Sequence, residues 1–302
     1  MNNSLQTEWL GLTLKNPIVA GSSGVTNNLD SLRALEDAGA GAVVLKSLYE
    51  EEVGAATETR ALELMRAASS ALDIPVLASI NCITPGAWAG YAKRAEQAGA
   101  AALELNIFIQ PTDFDVASSD AVEGLYNRLI QDVLVETALP VTVKIGHYFT
   151  LLGQVIKGIG ASGVAGLTLF NRFFYPDFDI ETLTIDPAGT FSSPDEFRLS
   201  LKWIAVMAGR VPCDLAASTG IHSGDTLIKH ILAGATVGQI ASVLYREGVP
   251  VIGAMEQRLR EWLQQMEFTE LDDFRGSMSQ LRVDDPAIYD RVQFRRITDA
   301  VG

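Results

Sequence analysis

Cysteine is nearly absent from this chain. Cys82 and Cys213 stand far apart with no C-x-x-C spacing, which argues against a disulfide framework or a thiolate metal centre and fits a reducing, cytoplasmic setting. Histidine is as scarce: of the three, His222 and His230 lie eight residues apart, off the metalloprotease spacing, and His147 has no matching second histidine, so no metal is expected. Positive charge is short as well. Lys plus Arg number 23 against 37 Asp plus Glu, a net charge of −14, which disfavours nucleic acid and anionic membranes as partners and leaves a small molecule. No apolar run reaches the length that crosses a bilayer, and the opening MNNSLQTEWLGLTLKNP lacks the basic stretch and apolar core of a secretion signal. Neither G-x-S-x-G nor G-x-x-x-x-G-K-[ST] occurs, against a hydrolase elbow and a nucleotide triphosphatase.

What is present is a repeated phrase. AGAGAVVLK at 38–46, AGAAALELN at 98–106, GASGVAGLTLFN at 160–171 and AGATVGQIAS at 233–242 each join a glycine turn to an apolar run of strand length, and each follows a segment with helical spacing. The pattern predicts strands near 16–21, 41–46, 75–80, 102–107, 140–145, 163–169, 213–218 and 236–241. Helices are expected at about 28–37, 58–72, 85–97, 119–137, 151–159, 195–208, 224–232 and 250–266. Eight αβ units in about 250 residues favour an α/β closed (β/α)8 TIM barrel over an open sheet. No Gly-, Pro- or Ser-rich linker divides the chain, so 1–302 is expected to be one domain, with a core over about 10–266 and an extension over about 267–302. Residues 171–194 form an excursion after the sixth strand with a possible short strand pair, suited either to covering a site or to decorating the barrel. The extension is suited to wrapping the barrel or meeting another subunit.

In a barrel, strand carboxyl ends converge on one mouth. Lys46, Asn106, Lys144 and Asn171 each close an apolar run there, and polar groups are costly in an interior unless paired. Singly, such a lysine also reads as a salt-bridge partner and such an asparagine as a turn cap. ASTGIHSGD at 217–225 and IASVLYREG at 240–248 offer exposed amides to a phosphate, while G-S-S-G at 21–24 admits a flat ring close to the backbone. His147 is an acid–base candidate by type. Cys82 reads either as a thiol at the mouth or as a small buried apolar residue, and Asp113 and Asp115 as cation ligands or turn acids.

NPIVAGSSGV, AVVLKS, ALELN, VTVKIGHYF, Asn171 and HSGDTLIKHILAGATVGQIASVLYREG together resemble the dihydroorotate dehydrogenase family, its soluble class 1 branch above all, over most of residues 10–266. The resemblance implies an oxidoreductase of pyrimidine biosynthesis, an FMN flavoprotein and a homodimer, with FMN held at the strand carboxyl ends. It implies that Lys46 approaches the flavin ring, with Ser23 and Gly24 beside it. Asn106, Lys144 and Asn171 would hold ring or ribityl groups, and Thr219, Gly220, Ala241 and Ser242 the phosphate, although Ile221 stands where a second glycine is usual. Lys144 would also favour the electron-rich reduced ring.

The substrate side departs from that family. Its strand runs on as Asn-x-Ser-Cys-Pro-Asn, the Cys taking a substrate proton. Here the order is Asn106, Ile107, Phe108, Ile109, Gln110, Pro111, and Ile109 cannot accept a proton. The asparagine-rich segment after Lys46 is replaced by SLYEEEVGAATETRALELM, whose acids would repel an anionic substrate. His147, Tyr148 and Cys82 are the substitute acid–base candidates. The expected function is therefore FMN-dependent hydride removal from a CH–CH donor. Two alternatives remain: a Schiff-base lyase using Lys144, and a noncatalytic flavin-binding or interaction protein.

Overall fold

The structure, a computed structural model, describes residues 4–84, 86, 88–109, 118–172, 176–186 and 190–290. Eight parallel strands close on themselves: β1 Ile18–Ala20, β2 Ala42–Val44, β3 Val76–Cys82, β4 Ala102–Ile107, β5 Val141–Ile145, β6 Gly166–Leu169, β7 Asp214–Ser218 and β8 Val237–Ile240, with β8 pairing back onto β1. The short strand Leu48–Tyr49, which the sequence pattern does not predict, adds to the outer part of β3. Helices on the outside cover one face of each strand and side chains fill the lumen, so the strands read as near-continuous apolar runs.

The helices between them are α1 Leu29–Asp37, α2 Ala56–Ala71, α3 Ala89–Gln97, α4 Ser119–Leu134, α5 Leu152–Gly160, α6 Phe197–Met207, α7 Gly224–Ala233 and α8 Val251–Gln265, with a short turn of helix, Ser242–Glu247, before α8. α4 shows the logic: Tyr126, Leu129, Ile130 and Val133 recur on one buried stripe, and the Ser118 hydroxyl caps its start by accepting from the Ala121 amide. The repeated phrase of the sequence has a physical meaning. Gly39, Gly99, Gly163 and Gly234 all take positive φ, between 92° and 118°, so each reverses the chain from helix into strand where a Cβ would be strained.

The amino-terminal end of the barrel is plugged. Thr7–Trp9 and Leu12–Leu14 form an antiparallel hairpin that the sequence pattern does not predict, turned by Leu10 and Gly11 at positive φ. It drives Trp9, Leu10 and Leu14 among Val19, Ala42, Val44, Leu77, Ala102, Ala216 and Val237, and the Leu10 amide donates to Asp214 Oδ2 at 2.7 Å. The extension wraps the barrel: Phe268 and Phe274 stack on each other, with Trp262 edge-on to Phe274, and the amides of Gly276, Met278 and Gln280 donate to carbonyls of Ile231, Leu232 and Ala205 at the ends of α7 and α6. Arg275 ties it down, donating to the carbonyls of Ala235 and Thr236 and to the Thr7 hydroxyl while paired with Asp272. At the opposite end the excursion carries the expected strand pair, Asp177–Asp179 with Thr184–Asp186. Among the described residues no helix is long and apolar enough to cross a membrane.

Candidate active site at the barrel mouth

Polar side chains line the upper lumen because they alternate with apolar ones along the strands. Glu104 on β4, Lys144 on β5, Thr168 on β6 and Gln239 on β8 meet in one buried network. Glu104 Oε2 accepts from Gln239 Nε2 at 2.5 Å and from the Thr168 hydroxyl at 3.3 Å. The Gln239 carbonyl oxygen accepts from Lys144 Nζ at 3.2 Å, and Glu104 Oε1 lies 3.9 Å from the same ammonium with no hydrogen bond of its own. Farther toward the mouth, Asn171 Nδ2 donates to Asn106 Oδ1 at 2.7 Å. A ladder of hydroxyls, Ser22 to Ser47 at 3.0 Å and Ser47 to Ser79 at 2.8 Å, crosses the ends of β1, β2 and β3.

Lys144 and Asn171 open into a cavity of about 160 Å³ whose wall includes Ser22, Thr219, Gly220, Ala241 and Ser242. Thr219 and Gly220 turn sharply at φ +77° and +76°, a conformation costing an L-residue such as Thr219 roughly 1–2 kcal/mol. Gly220 has a second reason to be glycine: a Cβ there would stand 2.2 Å from the Phe197 amide nitrogen. This turn and the one after β8 aim backbone inward, and the amides of Gly220, Ile221 and Ala241 have no acceptor among the described residues. Buried amides are otherwise almost always paired, so a cradle of orphan donors is a ready anion seat. The returning excursion covers it: Thr190 and Ser192 line the cavity, the Ser192 amide donates to Ser242 Oγ, and the Ser192 hydroxyl pairs with His222 Nε2 at 2.9 Å. Burial, helped by nearby Arg246, holds the His222 imidazole below its ordinary pKa.

A second cavity, of about 360 Å³, adjoins the first through Asn171, Arg172, Ser218 and Thr219 and is lined also by His147, Phe170 and Glu196. Arg172 is gripped by Glu196, Nε to Oε2 at 2.9 Å and Nη2 to Oε1 at 3.3 Å. Burial depresses the His147 pKa, which keeps the ring neutral near pH 7. Tyr148, its ring 4.3 Å from that of His147, is 60% exposed.

The structure brings Lys144, Asn171, Thr219, Gly220, Ala241 and Ser242 to one cavity, with Asn106 bonded to Asn171 beside it. It does not bring Lys46 there: that side chain is exposed and lines a separate cavity with Asn27, Thr57 and Arg60, joined to the first by the Ser22–Ser47 hydroxyl pair. Nor do Ser23 and Gly24 line the first cavity, although Gly21 and Ser22 just before them do. The Ser23 hydroxyl is buried without a partner, and the Tyr245 hydroxyl lies 2.5 Å from where a Gly24 Cβ would be. Ile109 packs against the core beside Tyr126, whose hydroxyl burial pushes up to about 12. The acids after Lys46 brace loops: Glu50 accepts from the Ile83 and Thr84 amides, Glu52 from the Tyr49 amide, and Glu58 pairs with Arg94. Gln110, Pro111, Asp113 and Asp115 lie outside the described residues, as does the side chain of Cys82. No group of metal-ligating side chains occurs among the described residues.

Comparison with known proteins supplies a name for the arrangement. Over 296 residues the chain is 23% identical to the catalytic subunit of dihydroorotate dehydrogenase B (NAD(+)) of Pyrococcus furiosus, covering 90% of this chain and 98% of that one. At that low identity it resembles dihydroorotate dehydrogenases over most of its length. The dihydroorotate dehydrogenase (fumarate) of Saccharomyces mikatae matches at 22% over 314 residues, 93% of this chain and 100% of the relative. Dihydroorotate dehydrogenase A (fumarate) of Lacticaseibacillus paracasei matches at 26% over 198 residues, 63% and 67%. No protein-family model matches the chain. Glu104, Ser22, Arg172, Ser192, His222 and Gln239 line or brace the candidate site, and sequence reasoning did not assign them to it. For Glu104 a signal was present, since it lies two residues before Asn106 and so shares its face of β4.

Proposed function

We propose that the mouth binds FMN and that the chain is an oxidoreductase removing hydride from a small CH–CH donor. The observation that carries this reading is the cavity itself, which sets Lys144 and Asn171 with three amides that have no acceptor among the described residues, in a chain similar over nearly its whole length to dihydroorotate dehydrogenases. The donor set fits FMN: Gly220, Ile221, Ala241 and the Ser242 turn suit a phosphate, while the Asn106–Asn171 pair and Lys144 suit a polar ring edge and chain. FMN supplies hydride acceptance when bound.

The rest falls to the chain's own side chains. Lys144 places positive charge where electron density accumulates, and being held by Gln239 and Glu104 it needs no reorganisation to do so. Asn171 and Asn106 fix each other's amide orientation, which leaves a defined pattern of donors facing the cavity. Ser192 and the residues before it shield the anion end from water. Ile109 takes no proton, and the proton acceptor is assigned to His147: it lines the adjoining cavity, burial keeps it unprotonated, and Phe170 orients it edge to face at 5.9 Å. Lys46 is left out of the cofactor set. The Schiff-base reading fares worse, because the Lys144 nitrogen is engaged by a carboxylate and a carboxamide rather than set in an apolar pocket.

The visible absorption spectrum of gently purified protein tests the proposal. Flavin bands, or their appearance after FMN is added, are the expected result; a protein that stays colourless with FMN overturns it. If flavin is bound, anaerobic dihydroorotate is expected to bleach it weakly or not at all.

A further inference from the structure

Glu104 has no solvent exposure, yet it is a carboxylate on the lumen face of a barrel strand. Such a group is tolerated only with a compensating charge and hydrogen bonds. It has both, and they converge on one ammonium. Directly, Oε1 faces Lys144 Nζ at 3.9 Å; indirectly, Gln239 donates its amide to Oε2 and turns its carbonyl to the same Nζ. The Gln239 carboxamide cannot be reversed without setting its NH2 against the ammonium and its oxygen against the carboxylate. Thr168 fixes the remaining freedom of Oε2. Lys144 is thus clamped from below, and it is the ammonium that lines the anion-seating cavity above.

We propose that Glu104 is a positioning residue and counter-charge for Lys144, and that through Lys144 it sets how readily a flavin in the cavity is reduced. This inference rests on the FMN reading given above. Reduction adds negative charge to the ring, which an ammonium alone would favour strongly. A carboxylate behind that ammonium offsets part of its field, so the pair tunes the equilibrium while holding Lys144 still.

The test is the midpoint potential of the bound flavin, read by dye equilibration. Glu104→Gln keeps the volume and removes the negative charge; it is expected to favour the reduced form at least tenfold, about 30 mV upward for a two-electron couple. Lys144→Met is expected to move it the other way by a similar factor. Glu104→Asp, which keeps the charge, should restore most of the wild-type value and serves also if Glu104→Gln does not fold. A merely structural loosening would give shifts of one sign. No shift in Glu104→Gln, or a shift of the same sign as in Lys144→Met, overturns the inference while leaving the FMN reading intact. If the wild-type protein takes up no FMN, the FMN reading falls, and melting of the cofactor-free protein judges the charge pair. Lys144→Met alone should melt lower than Glu104→Gln/Lys144→Met, and equal melting would overturn the pairing as well.

Discussion

The two ends of the barrel solve opposite problems. At the amino-terminal end the hairpin fills the lumen with Trp9, Leu10 and Leu14, and Arg275 saturates the carbonyls around it. At the carboxyl end the same strands carry Glu104, Lys144, Thr168 and Gln239, and the turns above hold amides with no acceptor among the described residues. One end is packed shut and the other keeps its polar groups around cavities. Packing fixes the lower half, while the upper half keeps polar groups facing cavities, which is where (β/α)8 barrels place their sites.

The comparison can be broken most forcefully at the plug. Trp9→Ala removes a fully buried indole and is expected to lower stability by about 3–5 kcal/mol in denaturant titration, with the FMN affinity of the remaining folded protein unchanged. A parallel loss of affinity would show that the ends are coupled. At the mouth, Gly220→Ala must place a Cβ against the backbone of Phe197 in a left-handed turn, so more than about 2 kcal/mol is expected, now with weakened FMN binding in fluorescence titration. Arg275→Met strands two carbonyls and should cost roughly 2–3 kcal/mol without touching the flavin spectrum.

The smallest effect is a pH dependence outside both ends. His230 on α7 is fully buried, one ring nitrogen bonded to the Ser200 hydroxyl and the other to the Thr226 carbonyl, and burial lowers its pKa from 6.5 to about 4. The unfolded chain therefore binds a proton below pH 6.5 that the folded chain refuses until about pH 4, so the contribution is present above pH 6.5 and is lost as pH falls toward 4. Between pH 7 and pH 5 this amounts to about 2 kcal/mol. Denaturant titrations at both pH values check it, and His230→Gln should flatten that part of the difference.

The barrel was legible because one turn chemistry recurs. A left-handed glycine after each of four helices marks where the strands begin, and the observed strands fall within or close to the expected windows. The plug was not legible: its strands are three residues long, and Leu10 occupies a positive-φ turn position where an Asn or Gly would have announced a hairpin. At the mouth, end-of-run lysines and asparagines were visible, but the direction a side chain takes was not. Lys46 and Lys144 close their runs alike, yet one is exposed beside Arg60 and the other is drawn inward by Glu104. The brace formed by Glu50 and the strap formed by Ser192 depend on contacts across more than thirty residues, which no local pattern carries.

Gly220 packs on the first residues of α6, and beside it Asn171, Arg172, Ser218 and Thr219 border both the anion seat and the His147 chamber. Reshaping those four residues would therefore alter both chambers at once.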